Sequence, residues 1–401
     1  MANSWYARAT IMVARPRIYL DYNATAPLRP EARAAMVDAL GAVGNASSVH
    51  AEGRAARARI ERARADVAAL VGGDAKLVTF TAGGTEANAT VLTPDWVAGA
   101  APHRADFLLV TAVEHASVLA GGRFPPERVR QVPVDAEGVV RLDALRRMLE
   151  GLAAEEARPL VSVMVANNET GVIQPVAEVA RLAHAAGAIV HADAVQAVGR
   201  VAVDIAALGV DVLTLSAHKI GGPQGAGAIV RAREGLTFRP LVAGGGQEKR
   251  LRAGTENVAA IAGFGAAARA ALADPGRAAE WSGWRDATEK AIRELSPEVT
   301  VFGAEAERLP QTLCFAVPGT SAETLVIALD LEGVAVSSGA ACSSGKVAAS
   351  HVLGAMGVSP ERGRGAIRLS LGWESAKSDL DSFLTAWRNV LKHVAPGNRA
   401  A

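Results

Sequence analysis

The chain has 401 residues, half of them hydrophobic, and its 42 basic and 41 acidic side chains leave a formal charge of +1. So even a balance supplies no basic excess for nucleic acid and no acidic tail, and the length holds about two to three domains around a sizeable core. With 40 glycines and only two cysteines, Cys314 and Cys342, the composition is that of an α/β enzyme in a reducing, cytoplasmic compartment, without a disulfide framework or a stable metal site. No run reaches the ~20 residues of a membrane span. Met1 to Arg17 lacks a continuous apolar stretch with a cleavage site, and Met12 offers a second start, so residues 1–11 are read as a tail or an over-called start.

Ile18 to Asp21 reads as a short strand, followed by a turn at Asn23 to Pro27 and a helix from Pro30 to about Leu40. A polar loop, Gly44 to His50, leads to an Arg/Ala-rich helix from about Ala55 to Leu70, ended by Gly72 and Gly73. A rhythm then sets in. Leu77 to Phe80 is a strand and turns sharply at Gly83-Gly84-Thr85 into a helix that Pro94 ends early. Phe107 to Val110 leads to Glu114-His115, and Leu160 to Val165 leads to Asn167-Asn168-Glu169. Ala188 to Val190 leads to Asp193 and Gln196, and Val210 to Leu215 ends in Ser216-Ala217-His218-Lys219 before Gly227 to Val230 returns. Continuous apolar strands alternating with helices predict a mostly parallel sheet covered on both faces. Beyond a break at Asp274-Pro275-Gly276 the pattern changes: strands Gln311 to Val317, Val334 to Val336 and Ala366 to Leu371 alternate with helices. A smaller α+β domain follows from that, with a large domain over 29–276 and the smaller one made of 1–28 and 277–401.

Each unusual polar cluster follows the carboxyl end of a strand, where open α/β sheets bind ligands. Lys219 sits at a strand end on a Gly/Pro-rich turn, and an amine so placed can form a Schiff base with an aldehyde cofactor, most commonly pyridoxal phosphate (PLP). That cofactor also needs a carboxylate for its pyridine nitrogen, which Asp193 can supply, and Gln196 can reach the ring hydroxyl. His115 is a candidate ring-stacker and proton relay, while His191 shares a face with Asp193 and packs beneath it. Gly84 and Thr85 open a helix whose free N–H groups favour a phosphate, and Ser216 and His218 can help hold one.

The stretches Leu-Asp-Tyr-Asn-Ala-Thr at 20–25, Thr-Ala-Gly-Gly-Thr-Glu at 81–86, Glu-His at 114–115, Asn-Asn-Glu at 167–169 and Asp-Ala-Val-Gln at 193–196 carry a family resemblance. Ser-Ala-His-Lys at 216–219, Arg-Ala-Gly-Thr at 252–255, Ser-Ser-Gly-Ala-Ala-Cys-Ser-Ser-Gly at 337–345 and Ile-Arg-Leu-Ser-Leu-Gly at 367–372 complete it. From about Tyr19 to Trp387 the chain resembles the NifS/IscS-like cysteine desulfurases, a branch of the class V PLP-dependent enzymes. The resemblance implies the aspartate aminotransferase-like fold type I of PLP-dependent transferases. It implies a Schiff base at Lys219, Asp193 on the pyridine nitrogen, Gln196 on the ring oxygen, His115 over the ring and Asn168 beside it. Gly84, Thr85, Ser216 and His218 would hold the phosphate, Thr255 would reach it from the other subunit of a homodimer, and Arg368, assisted by Asn45, would bind the substrate carboxylate. Two departures stand out: Asn-Ala-Ser-Ser at 45–48 where Asn-Pro-Ser-Ser is expected, and Ala-Thr-Val-Leu-Thr-Pro-Asp-Trp at 89–96 in place of a plain apolar helix.

Cys314 lies in an apolar strand and reads as an inert core residue, whereas Cys342 lies in a Ser/Gly/Ala loop with almost nothing to bury. By resemblance Cys342 is the nucleophile that takes sulfur from L-cysteine, leaving L-alanine and a persulfide, and its loop (337–350) carries the sulfur to an iron–sulfur scaffold or another acceptor. No resident metal is expected, with Cys342 at most a transient iron–sulfur ligand on a scaffold partner. The alternatives are a selenocysteine lyase, another class V PLP enzyme, or an idle relative acting as a scaffold partner.

Overall fold

A computed structural model describes residues 17–99, 101–274, 277–339 and 350–394. Seven short strands, most of them buried along their whole length, form the central sheet. Their order is Val78–Thr81, Gly227–Arg231, Val212–Ser216, Ile189–Asp193, Pro159–Met164, Phe107–Thr111, Val129–Val132. Six run parallel, and Gly227–Arg231 alone is reversed against both of its neighbours. The mostly parallel sheet is the one expected.

The strands are apolar throughout because the sheet is covered twice. Leu109, Val161, Val190 and Leu213 pack into one core with the helices Ala51–Leu70, Leu142–Ala154, Val176–Ala185 and Val258–Leu272. Their chain neighbours Leu108, Leu160, Ile189 and Val212 point the other way. They meet the helix Gly84–Val91 and a small sheet of Leu236–Phe238, Asp95–Ala98 and Ala101–Arg104. Side chains that alternate between two apolar environments leave no polar face, so no period-two signal survives in the sequence.

A second sheet, antiparallel throughout, has the order Thr300–Val301, Thr312–Ala316, Ala366–Ser370, Ser337–Ser338. The helices Arg277–Leu295, Ala322–Leu331 and Lys377–Val394 cover it around Phe383 and an edge-to-face pair, Phe315 and Trp387, whose ring centroids are 5.4 Å apart. Ile18–Tyr19 pairs in parallel with Val334–Ala335, so the start of the described chain belongs to this half. The backbone then crosses to the large sheet, where Ala26 N–H donates to the His218 carbonyl at 2.9 Å and Arg29 N–H to that of Gly221 at 2.8 Å.

Several boundaries differ from those read in the sequence, each for a physical reason. The helix expected from Ala55 starts at Ala51, and the His50 Nδ1 caps it by accepting from Gly53 N–H at 3.3 Å. Gly53 reads as a breaker, yet it is needed for close approach: a Cβ there would lie 2.3 Å from the Ser48 carbonyl oxygen. The strand expected over Val334 to Val336 is divided, Val334–Ala335 pairing with Ile18–Tyr19 and Ser337–Ser338 with Ala366–Ser370. The edge strand Val129–Val132 carries Arg130 and Gln131 and so gives no apolar run to read.

Candidate active site

The carboxyl ends of the parallel strands open on one rim, and the turns that leave them wall a cavity of about 270 Å³. Gly84, Thr85, His115, Asn168, Asp193, Gln196, Ser216, His218, Lys219 and Arg368 all line it. Two predicted residues do not: Asn45 and Thr255 are exposed on the chain and lie outside the cavity. Cys342 lies outside the described residues.

Lys219 ends a short 3-10 turn, Ala217–Lys219, directly after the strand Val212–Ser216. The turn folds back through Gly221 at φ +83°, where a Cβ would stand 2.6 Å from the Arg29 side chain. The Lys219 amine donates to the carbonyls of Asn23 and Ala24 at 2.7 and 2.8 Å, so the crossing segment forms one wall of its pocket. Gln196 Nε2 donates to the same Asn23 carbonyl at 2.9 Å, and its Oε1 accepts from Arg200. Arg200 is buried, and burial followed by repulsion from Arg368 pushes its guanidinium down to about 9.

Asp193 closes its strand with both carboxylate oxygens engaged. Oδ2 accepts from Asn88 Nδ2 at 2.8 Å and Oδ1 from Val195 N–H at 2.9 Å. His115 caps the short helix Ala116–Leu119, its Nδ1 within 2.8 Å of Ser117 Oγ and accepting from Ser117 N–H at 3.1 Å. Burial lowers the His115 pKa, with Lys219 and His351 pushing the same way against the pull of Asp193, so the ring is neutral near neutral pH.

The other end of the cavity suits an anion. Among the described residues no side chain caps the start of the helix Gly84–Val91, and Thr85, Ser216 and His218 border the same hollow. Burial, reinforced by Lys219 and Arg200, drives His218 down to about 4, which leaves it an uncharged ring. This donor set fits a phosphate, and the carboxylate and amine deeper in the cavity fit the two ends of a pyridine aldehyde.

Arg368, 1 % exposed, is aimed by two partners: its Nη2 donates to Asp21 Oδ1 at 2.7 Å and its Nη1 to the Asn168 carbonyl at 2.8 Å. Among the described residues its buried Nε meets no hydrogen-bond partner. Beside it Glu169 is buried and accepts from Ser350 Oγ at 2.5 Å, its pKa raised by burial. Cys314 pairs in register with Arg368 but is wholly buried, and burial, with Glu169 adding, pushes its thiol up to about 12. A thiol held in that form is a poor nucleophile.

Asn23, Asn88, Ser117 and Arg200 were not singled out in the sequence, and all but Arg200 line the cavity. Asn88 carried a signal that could have found it. It stands four residues after Gly84 on the helix Gly84–Val91, one turn along, a spacing that puts both on one face.

Glu114, next to His115, is fully buried, its Oε1 accepting from Thr111 Oγ1 and Met164 N–H at 2.6 Å each, while Oε2 has no partner among the described residues. Burial raises it from 4.5 to about 8, so folding favours the protonated form. Its contribution to stability is therefore full below pH 4.5 and is lost as the pH rises to about 8. In Glu114→Gln the denaturation midpoint should lose that fall, and the difference between the two proteins' pH profiles isolates it from the opposite titration of His191, which burial pushes down to about 4. Parallel profiles would show that Glu114 does not titrate in this window.

Comparison with known proteins adds to the geometry. Residues 18–383 match the class-V aminotransferase family. A cysteine desulfurase from Cereibacter sphaeroides is 42 % identical over 92 % of this chain and 94 % of its own. The cysteine desulfurase IscS of Dictyoglomus turgidum is 38 % identical over 94 % and 95 %. Among solved structures, the NifS-like protein from Rickettsia africae superposes with a TM-score of 0.82 at 32 % identity, over 94 % of this chain and 99 % of that one.

Proposed function

The chain belongs to the class-V aminotransferase family as a cysteine desulfurase, and from that premise we propose which residues carry the reaction. Pyridoxal 5'-phosphate, when bound, supplies an aldehyde for amines and an electron sink that weakens bonds in the amino acid joined to it. In our reading Lys219 holds the aldehyde carbon, Asp193 faces the pyridine nitrogen, Gln196 the ring oxygen, His115 the ring face and Asn168 its side. Gly84, Thr85, Ser216 and His218 hold the phosphate, which the uncapped helix start supports.

Arg368 takes the carboxylate of L-cysteine through the donors that Asp21 and Asn168 leave free, its fork already aimed by those two partners. The Cys342 thiolate then attacks the substrate sulfur. An S–S bond forms as the C–S bond breaks, and the substrate carbon gains the proton that completes L-alanine. The Cys342 thiol gives its proton to the medium, and His115, uncharged and with Nδ1 already accepting from Ser117 N–H, borders the cavity as a donor at Nε2. The persulfide on Cys342 passes to an iron–sulfur scaffold or another acceptor. One observation carries this reading: the Lys219 amine, the Asp193 carboxylate and the Arg368 guanidinium face one cavity at the sheet's carboxyl rim.

The reading includes a homodimer. Val37, Leu40, Val43 and Val49 stand 62 to 88 % exposed within a short span, an apolar surface of the kind that a partner covers. Thr255 would reach the neighbour's phosphate there, and any help that Asn45 gives Arg368 belongs to the same paired state. We divide the chain into a large domain over 29–276 and a small one made of 1–28 and 277–401. No described helix is long and apolar enough to cross a membrane, and work in the cytoplasm accords with the two cysteines.

Incubation with PLP and L-cysteine should release alanine and, before reductant is added, leave a one-sulfur mass gain on the peptide holding Cys342. Alanine formed without that adduct would remove the persulfide route. A fully active monomer in sedimentation would remove the shared site.

A further inference from the structure

Behind the cavity a line of buried polar side chains runs through the sheet. Ser162 Oγ is 2.8 Å from His191 Nδ1, and His191 Nε2 is 2.9 Å from Thr214 Oγ1. Thr214 donates to Asn88 Oδ1 at 2.6 Å, and Asn88 Nδ2 donates to both Asp193 Oδ2 at 2.8 Å and Ser117 Oγ at 2.9 Å. Ser117 Oγ is in turn 2.8 Å from His115 Nδ1. Ser162, His191, Thr214 and Asn88 are all at most 1 % exposed, so no water competes for these bonds.

Counting donors gives the line one direction. A carboxylate only accepts, so the amide nitrogen of Asn88 must face Asp193 and its oxygen must face Thr214. Thr214 then gives its single proton to Asn88, and its oxygen is left to accept from His191. His191 therefore carries its proton on Nε2, and its bare Nδ1 accepts from Ser162. At the other end Ser117 Oγ accepts from Asn88, so its hydroxyl proton goes to His115 Nδ1, which Ser117 N–H already meets. His115 is thereby left with its proton on Nε2.

We propose that Asn88 is a positioning residue, held by Thr214 and His191, which aims the Asp193 carboxylate and, through Ser117, fixes which nitrogen of His115 bears the proton. This inference rests on the reading in which Asp193 faces the cofactor's pyridine nitrogen. It reaches beyond that reading to residues that touch neither cofactor nor substrate: Thr214 and His191 do not border the cavity. Burial drives His191 down to about 4, which keeps it in the neutral state that the line requires.

The test separates this role from mere packing. Thr214→Val keeps the shape and removes the hydroxyl, and Thr214→Ser keeps the hydroxyl. In Thr214→Val the affinity of cofactor-free protein for pyridoxal 5'-phosphate should fall about fivefold, the loss of roughly one net hydrogen bond. Its visible band should shift, and kcat should drop with KM for L-cysteine unchanged. Thr214→Ser should restore all three. If Thr214→Val folds, binds the cofactor and turns over as the parent does, the inference is wrong while the function stands. If Thr214→Val fails to fold, Ser117→Ala, which breaks only the branch to His115, should still lower kcat while keeping cofactor affinity, and an unchanged kcat there overturns the proposal. A parent protein that binds no cofactor overturns the underlying reading along with it.

Discussion

Lys219→Ala should lose L-cysteine turnover by more than about a thousandfold, because in the proposed reading Lys219 is the group that would hold the cofactor's aldehyde. Its visible absorption should disappear with it. The position is specific: Lys219 leaves the strand Val212–Ser216 on a turn of fixed shape, with its amine held between the Asn23 and Ala24 carbonyls. A small amine added to the medium should restore part of the activity, since the rest of the cavity is intact. A variant that keeps the visible band and the rate would remove Lys219 from its role.

Cys342→Ser should lose sulfur transfer as completely, while L-cysteine still binds and still perturbs the cofactor spectrum. A thiol is partly ionised near neutral pH and sulfur is a strong nucleophile, whereas a serine hydroxyl needs a dedicated base to attack at all. Cys314 cannot stand in, because it is wholly buried and its thiol is held protonated up to about pH 12. Arg368→Ala should show the opposite division. Its resting spectrum stays, but KM for L-cysteine rises, because a carboxylate clamp acts before chemistry. Stopped-flow spectra beside an alanine assay read both variants. Alanine made by Cys342→Ser at the parent rate would make the loop cysteine a bystander.

The sequence made the rim legible because each polar cluster interrupts an apolar strand at its carboxyl end, the one place where such an interruption serves a ligand. His115, Asp193, Ser216 and Lys219 could be found that way, and they line one cavity. Residues behind the rim could not. Thr214 and Ser162 look like ordinary strand residues, and Arg200 looks like a surface arginine until the Gln196 and Tyr22 contacts around it are seen. What those positions share is burial among partners distant in sequence, which no local pattern encodes. Elements failed for a similar reason: the hairpin Asp95–Ala98 and Ala101–Arg104 is held by Leu236–Phe238, more than a hundred residues on.

The reversed strand also sets an order of events during synthesis. Among the described strands Val78–Thr81 pairs with the large sheet only through Gly227–Arg231, so that strand cannot join the sheet until residue 231 has been made. The wall formed by Asn23 and Ala24 waits longer, because Ile18–Tyr19 needs Val334–Ala335 as its partner. A growing chain therefore exposes the Lys219 amine before the carbonyls that hold it are anchored. Long-range closures of this kind are slow and leave strand edges open meanwhile. The pocket is among the last parts to be completed, and nascent chains halted before residue 334 should be unable to retain the cofactor.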